Sequence, residues 1–166
     1  DIFEKQIKFI QESGIVVAMV GILGALPKTR LHQRLKKEGR LLDTSRGDNM
    51  ESSNLNFTPK MGIKSLQDGY KNILDTIYSP RKYYERILKF IKEYKQPSLS
   101  CKAHVNLYYL AALLRSIWYL GIVWRHRYYF WKIFFVGLFR YPKAFPQMMV
   151  LSVYGYHFSR IIDAKK

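Results

Sequence analysis

Apolar residues Ile2, Phe3, Ile7 and Ile10 recur at helical spacing and Gly14 stands where a helix would stop, so the pattern predicts an opening helix. Ile15 to Ile22 then runs almost free of polar residues and is rich in β-branched side chains. Such a run predicts a strand buried on both faces, as in a parallel sheet. Leu26, Pro27, Lys28 and Thr29 make the turn that follows. Thr29 is placed to cap a short basic helix on which Leu31 and Leu35 share a face, and Gly39 is placed to end it. Residues 1–42 therefore read as one helix-strand-helix unit of α/β type, whose lone strand would keep unpaired edges by itself.

Residues 43–64 are rich in Asp, Ser, Asn and Gly and contain Pro59, a composition that predicts a long loop. Helical periodicity returns at Ser65 and continues to the end, giving a helical domain over 65–166. Leu66, Tyr70, Ile73, Leu74 and Ile77 mark one amphipathic helix. Ser79 and Pro80 make a cap and first-turn pair for a second, carrying Tyr83, Tyr84, Ile87, Leu88 and Ile91. Pro97 precedes a third helix over about 99–123, a fourth runs from Tyr128 to Phe139, and Pro142 starts a fifth through Met148, Val153 and His157. Residues 105–124 have roughly the length of a membrane span, yet Arg115 near the centre is costly in lipid, so a bundle core helix is expected. The fold class is mostly α, a helical bundle-like domain preceded by one α/β unit.

Charge changes the picture of the second half. The chain of 166 residues carries a formal charge of +16, and from Lys95 onward Asp163 is the only acid. That imbalance suits phosphate-bearing or anionic partners, whether nucleic acid, an anionic membrane surface or an acidic neighbouring domain. Aromatic residues crowd the third and fourth helices, among them Tyr108, Trp118, Trp124, Tyr128 and Trp131. Interleaved with arginine they could stack bases, but no nucleic-acid motif accompanies them, so core packing and a partner-facing stripe are expected instead. Cys101 is the only cysteine, which excludes an internal disulfide and any self-contained cluster or structural zinc site. A reducing, cytoplasmic setting is the simpler expectation, with membrane association as its variant. The chain starts at Asp1 with the helical pattern already running, which reads as a segment of a longer protein.

Beyond periodicity, GILGALPKTRLHQRLKKEGRLL at 21–42 resembles the segment that ends the catalytic barrel of cobalamin-dependent radical S-adenosylmethionine enzymes. NLNFTPKM at 54–61, GYKNIL at 69–74, IYSPRKYYER at 77–86 and GYHF at 155–158 are similar to the helical domain that follows that barrel in a hopanoid methylase-like branch. The turn in such proteins often carries glycine where this chain has Lys28. The resemblance implies that 1–42 is the last unit of a radical SAM partial barrel and that 65–166 is an accessory domain. It further implies a [4Fe–4S] cluster, S-adenosylmethionine and cobalamin in the parent protein, with none of them held by this chain, which lacks CxxxCxxC. The parent would be an enzyme that methylates an unactivated carbon, or changes it by another radical reaction, in a lipid-like substrate; the chain alone would hold no complete active site. Its partner would be the remainder of the barrel, and its role there would be either to close the barrel or to assist substrate binding. A second reading makes the chain a basic helical module for an anionic membrane surface or RNA.

Six residues are candidates for the substrate or cofactor side. Pro27 and Thr29 lie at the carboxyl end of the expected strand, where α/β barrels build active sites. Thr29 could equally be a simple helix cap beside amide groups that attract anions. Asn54, Asn56 and Lys60 sit in the long loop, where the alternative is ordinary turn chemistry of asparagine. His157 is either a core or interface histidine or a catalytic base, and only Asp163 lies near it in sequence to orient it.

Overall fold

The computed structural model describes residues 2–42, 55–94 and 107–164. Among these, helices dominate: α1 (Ile2–Ser13), α2 (Arg30–Lys37), α3 (Ile63–Ile77), α4 (Pro80–Glu93), α5 (Leu107–Ser116), α6 (Arg127–Arg140) and α7 (Phe145–Ala164). The mostly α class is therefore correct. The chain divides into two compact units, one of Asp1–Ile7 with Ala18–Asp75, the other of Lys8–Val17 with Thr76–Lys166. The expected starts of the third helix and of the long loop fall partly outside the described residues.

The strand expected over Ile15–Ile22 does not form. That run is irregular, and the only β pairing among the described residues is an isolated antiparallel bridge between Leu41 and Phe57. A buried parallel strand needs neighbours on both edges. None is present among the described residues, and Met19 and Leu23 are exposed. Its neighbours α1 and α2 do follow their sequence signals: Gly14 and Gly39 close them with φ of 71° and 64°, left-handed values that glycine adopts without strain.

In the first unit, α3 buries Tyr70 and Ile73, and Ile22, Ala25 and Leu35 join this small core. The Tyr70 hydroxyl donates to the carbonyl of Val20 at 3.4 Å, fixing the irregular segment to α3. Phe3 lies across Gly69, where a β-carbon would meet its ring at 2.3 Å.

The second unit is larger and more aromatic. Its core gathers Tyr83, Ile87 and Ile91 from α4, Phe130 and Ile133 from α6, and Met148, Leu151 and Ser152 from α7. Pro80 occupies the first turn of α4 as expected, but Ser79 does not cap it; its hydroxyl donates backwards to Thr76 O at 2.8 Å. The third predicted helix changes type as it proceeds, since α5 continues into a π-helical stretch over Ile117–Val123. The wider coil ends where Trp131 Nε1 donates to Gly121 O at 3.0 Å, satisfying a carbonyl near the helix end. The aromatic rings of Trp131 and Phe130 lie close over Gly121, with 3.1 Å and 3.2 Å to an added β-carbon.

The core placement expected for residues 105–124 holds only toward its end: none of the ten residues of α5 is buried, while Leu120, Gly121 and Trp124 are. The core positions are filled from α4, α6 and α7, and Leu120 of the π-helical stretch is the first residue on this hairpin arm to be buried.

Gly155 carries the closest approach of any described glycine in the second unit. A β-carbon there would stand 2.4 Å from Tyr83 Cε1, and Tyr83, 1% exposed, donates its hydroxyl to Leu151 O at 2.8 Å. Gly155 lies one turn after Leu151, so the bare backbone lets the ring approach closely enough to reach that carbonyl. Alanine normally helps a helix interior relative to glycine, but overpacking against a pinned ring costs more. Gly155→Ala is expected to destabilise the second unit by about 2 kcal/mol. All three tryptophans belong to that unit, so their fluorescence in urea reports it directly. An unchanged or raised urea midpoint would contradict this account of the contact.

Candidate functional site

Asn56 is the residue that holds the chain leading into the proline turn. It is buried, and its side-chain amide makes two bonds to one residue: Nδ2 donates to Ala25 O at 2.9 Å, and Oδ1 accepts from Ala25 N at 2.9 Å. A carboxamide offers one donor and one acceptor at the spacing of a peptide group, so it pairs with Ala25 as a neighbouring strand would. The rest of its loop is fastened to the end of α2. Leu42 N donates to Asn56 O at 2.9 Å, and Thr58 N donates to Arg40 O at 2.8 Å. Arg40 then turns its guanidinium onto Thr58 O, with Nε at 2.9 Å and Nη2 at 2.6 Å.

The remaining nitrogen of that fork is also committed. Arg40 Nη1 donates to Glu38 Oε2 at 2.7 Å, and this bond holds the exposed Glu38 carboxyl below its ordinary value, with the charges of Arg40 and Arg34 assisting. Arg34 and Glu38 form a looser pair at 3.7 Å. Part of the basic face of α2 is thus tied into local structure.

Ala25 leads directly into the turn. Pro27 and Thr29 are exposed, and Thr29 is a true cap: its Oγ1 accepts from His32 N at 3.2 Å and donates to Leu26 O at 2.7 Å. Lys28 between them has φ 66°, the only non-glycine residue among those described with positive φ. The backbone therefore keeps the left-handed shape that glycine would give at this position, at a cost of about 1 kcal/mol for a residue with a β-carbon. Lysine adds an exposed cation to the turn.

Four of the six candidates consequently share the first unit. Asn56 is bonded to the turn's leading residue, Pro27 and Thr29 form the turn, and Lys60 is exposed in the bend before α3. Asn54 lies outside the described residues. His157 is in the second unit, exposed on α7, with its ring edge-on to Phe158 at 5.8 Å. It is not a core histidine. The first unit also contains an open groove of about 740 Å³, lined by Phe3, Glu4, Met61, Lys64, Asp68 and Asn72 among others. None of the five described candidates lines it.

Sequence reasoning overlooked Arg86. On α4 it is 1% exposed, and its guanidinium bonds Gln11 Oε1 through Nη1 and Val16 O through Nη2 at 3.2 Å, while lying 5.5 Å over the Tyr83 ring. Nε has no partner, and no carboxylate is among these contacts. Burial pulls the group down to about 10, with Tyr78 and Tyr83 acting in the opposite sense. Since burial disfavours the charged form, the fold carries that cost at every pH below about 10. The signal was present in the helical register: Arg86 falls three residues after Tyr83 and one before Ile87, inside the apolar stripe.

The donor set of this chain does not fit an iron–sulfur cluster. Only Cys101 could supply a thiolate, and among the described residues no three of His, Cys, Asp and Glu converge. Cluster ligation normally takes four positions, mostly cysteine.

Residues 29–166 match the family described as Domain of unknown function (DUF4070). The chain is 30% identical over 158 residues to an uncharacterized methyltransferase of Synechocystis, an alignment that covers 93% of this chain and 29% of that protein. It is also 30% identical over 157 residues to the hopanoid C-2 methylase of Rhodopseudomonas palustris, covering 90% of this chain and 28% of that protein. The chain thus spans less than a third of each of these relatives. No solved structure matches it.

Two substitutions test the bonds described above. Asn56→Ala would leave the buried N–H and C=O of Ala25 unpaired and is expected to lower the stability of the first unit by about 3 kcal/mol. Asn56→Asp should lose less in acid than at neutral pH, because only a protonated carboxyl can still donate to Ala25 O. Amide exchange of Ala25 in Asn56→Ala reads the clamp directly, since that variant removes the acceptor of its N–H; protection as strong as in the parent chain would refute it. Arg86→Ala is expected to shift the tryptophan-monitored urea midpoint downward by an amount equal to about 3 kcal/mol, and Arg86→Met by less, since methionine refills much of the volume and carries no charge. Equal losses in the two variants would contradict the reading of Arg86 as a costly buried cation.

Proposed function

Because this chain belongs to the DUF4070 family, we propose that it is the carboxyl-terminal part of a cobalamin-dependent radical S-adenosylmethionine methyltransferase, acting on a lipid-like substrate in the cytoplasm. The observation that carries the reading is the pair of relatives, one a methyltransferase and one a hopanoid methylase, each aligned over at least 90% of this chain. In this reading the cluster, S-adenosylmethionine and cobalamin are bound by other parts of the polypeptide, because the residues here supply no ligand set for a cluster. Those groups provide the radical and the methyl carrier. The chain described here contributes the rim and its support.

The irregular run of the first unit is consistent with that role. Met19 and Leu23 are exposed apolar residues on a β-branched stretch that lacks strand neighbours, and strands of a barrel would cover them and pair the segment. At the end of the run, Asn56 holds Ala25 and so sets the path of Pro27, Lys28 and Thr29. Amides at the start of α2 and the Lys28 side chain present positive charge at this turn, where an anionic group such as a carboxylate would be favoured. The loop carrying Lys60 returns beside it and supplies a second polar edge.

Truncation of the full-length enzyme before Ser65 tests the division of labour. Cleavage of S-adenosylmethionine and methylation of substrate are measured separately. The shortened enzyme is expected to retain cofactor cleavage while losing most methyl transfer. Undiminished methyl transfer would exclude an essential role for the helices, and a polypeptide lacking three closely spaced cysteines upstream of Asp1 would exclude the radical mechanism itself.

A further inference from the structure

A helix whose apolar residues are all outside the core requires a covering environment, and α5 is such a helix. None of its ten residues is buried, although its sequence is LYYLAALLRS. The exposure continues along the chain: Leu107 is 79% exposed, Tyr108 75% and Trp118 58%, with Leu110, Leu114 and Tyr119 also open to solvent. Isolated apolar residues on a surface need no explanation, but a continuous set of this size marks an interaction face.

The charges on the same hairpin are all of one sign. Arg115, Arg125, Arg127, Lys132 and Arg140 lie between Leu107 and Arg140, and that interval contains no Asp or Glu. Arg115, Arg125, Arg127, Lys132 and Arg140 are all exposed. A surface joining aliphatic residues, Tyr and Trp rings, and unopposed cations matches the boundary between acyl chains and anionic headgroups. There the aliphatic side chains enter hydrocarbon, the amphipathic rings remain at headgroup depth, and the long basic side chains reach phosphate.

We propose that the hairpin formed by α5, its π-helical continuation and α6 docks on an anionic bilayer surface, lying in the plane of the interface. No helix among the described residues is long and apolar enough to cross a membrane, so the hairpin lies on the bilayer. Charge and chemistry argue for this occupant over others. A second copy would bring identical cations together with no acid in the interval to offset them. RNA would use the cations and rings, but it would leave Leu107, Leu110 and Leu114 without an apolar partner. An anionic bilayer satisfies all three kinds of side chain.

At the end of α6 a smaller hollow, about 320 Å³, continues the same chemistry. Tyr94, Arg140, Tyr141 and Lys143 contribute to its lining, with Ile91 and Ala144 forming its apolar part. The Arg140 guanidinium stands 5.9 Å from the Tyr141 ring centroid. This hollow has the composition to receive a headgroup phosphate beside the docked hairpin.

The test is co-sedimentation of the full-length protein with vesicles of phosphatidylcholine alone and with vesicles containing phosphatidylglycerol, at low and high salt. Binding is expected to phosphatidylglycerol vesicles, to weaken as salt rises, and to be much poorer on phosphatidylcholine. Arg125→Gln and Lys132→Gln should each reduce partitioning about fivefold. Leu110→Glu and Trp118→Glu should reduce it further while leaving the far-ultraviolet circular dichroism unchanged, because neither residue is buried. Amides over 107–123 should gain exchange protection only when anionic vesicles are present.

Equal binding to both vesicle types, or undiminished binding by the glutamate variants, would overturn the proposal. So would tighter binding to RNA than to vesicles at the same salt, self-association that vesicles fail to reverse, or full protection of 107–123 in the lipid-free protein, which would mean that polypeptide already covers this face. None of these readouts involves catalysis, so the result is independent of the radical-enzyme reading.

Discussion

An apolar run without strands beside it must satisfy its backbone by other means, and between Val16 and Ala25 side chains do so. Asn56 pairs with both polar groups of Ala25, the Tyr70 hydroxyl reaches Val20 O, and Arg86 donates to Val16 O. Each bond replaces part of the ladder that a sheet would have supplied. The consequence is positional: the run ends at a fixed place, and the turn from Leu26 to Thr29 starts from a backbone held on both its donor and its acceptor.

The same logic accounts for a charge in an otherwise apolar core. A guanidinium can donate in several directions at once, so Arg86 meets Gln11 and Val16 O from a single helix position and covers the Tyr83 ring as well. Tyr83 is itself fixed by its bond to Leu151 O across Gly155, and burial raises its hydroxyl above the ordinary range. Cation, ring and bare helix backbone therefore form a connected set in the second unit. Filling that core from α4, α6 and α7 leaves the apolar length of α5 on the outside, where it meets the excess of positive charge.

Much of the local structure was legible. The caps at Gly14, Thr29 and Gly39 and the first-turn proline of α4 obey rules that depend on a few adjacent residues, and each appears as expected. The strand at Ile15–Ile22 and the core placement of α5 were misread because both depend on what lies alongside. An apolar β-branched run says only that it suits a buried sheet, and an apolar helix says only that something must cover it. Lys28 belongs to an intermediate case: the sequence flagged a position favouring glycine, and the structure shows that lysine adopts the same left-handed turn.

The candidate site divides along the same line. Sequence alone determined the helical class, the proline turn with its cap, the single cysteine and the one-sided charge of the second half, because composition and short-range hydrogen bonding do not depend on distant residues. Only tertiary structure decided that Asn56 spends its amide on Ala25, that His157 lies on an exposed helix face, and that Arg86 rather than an apolar residue occupies the core of α4. The Asn56 bond joins residues 31 positions apart, and the Arg86 bond to Val16 joins residues 70 apart. No local preference encodes such a pairing; it becomes favourable only when packing has removed water from both partners and left each as the other's hydrogen-bonding group.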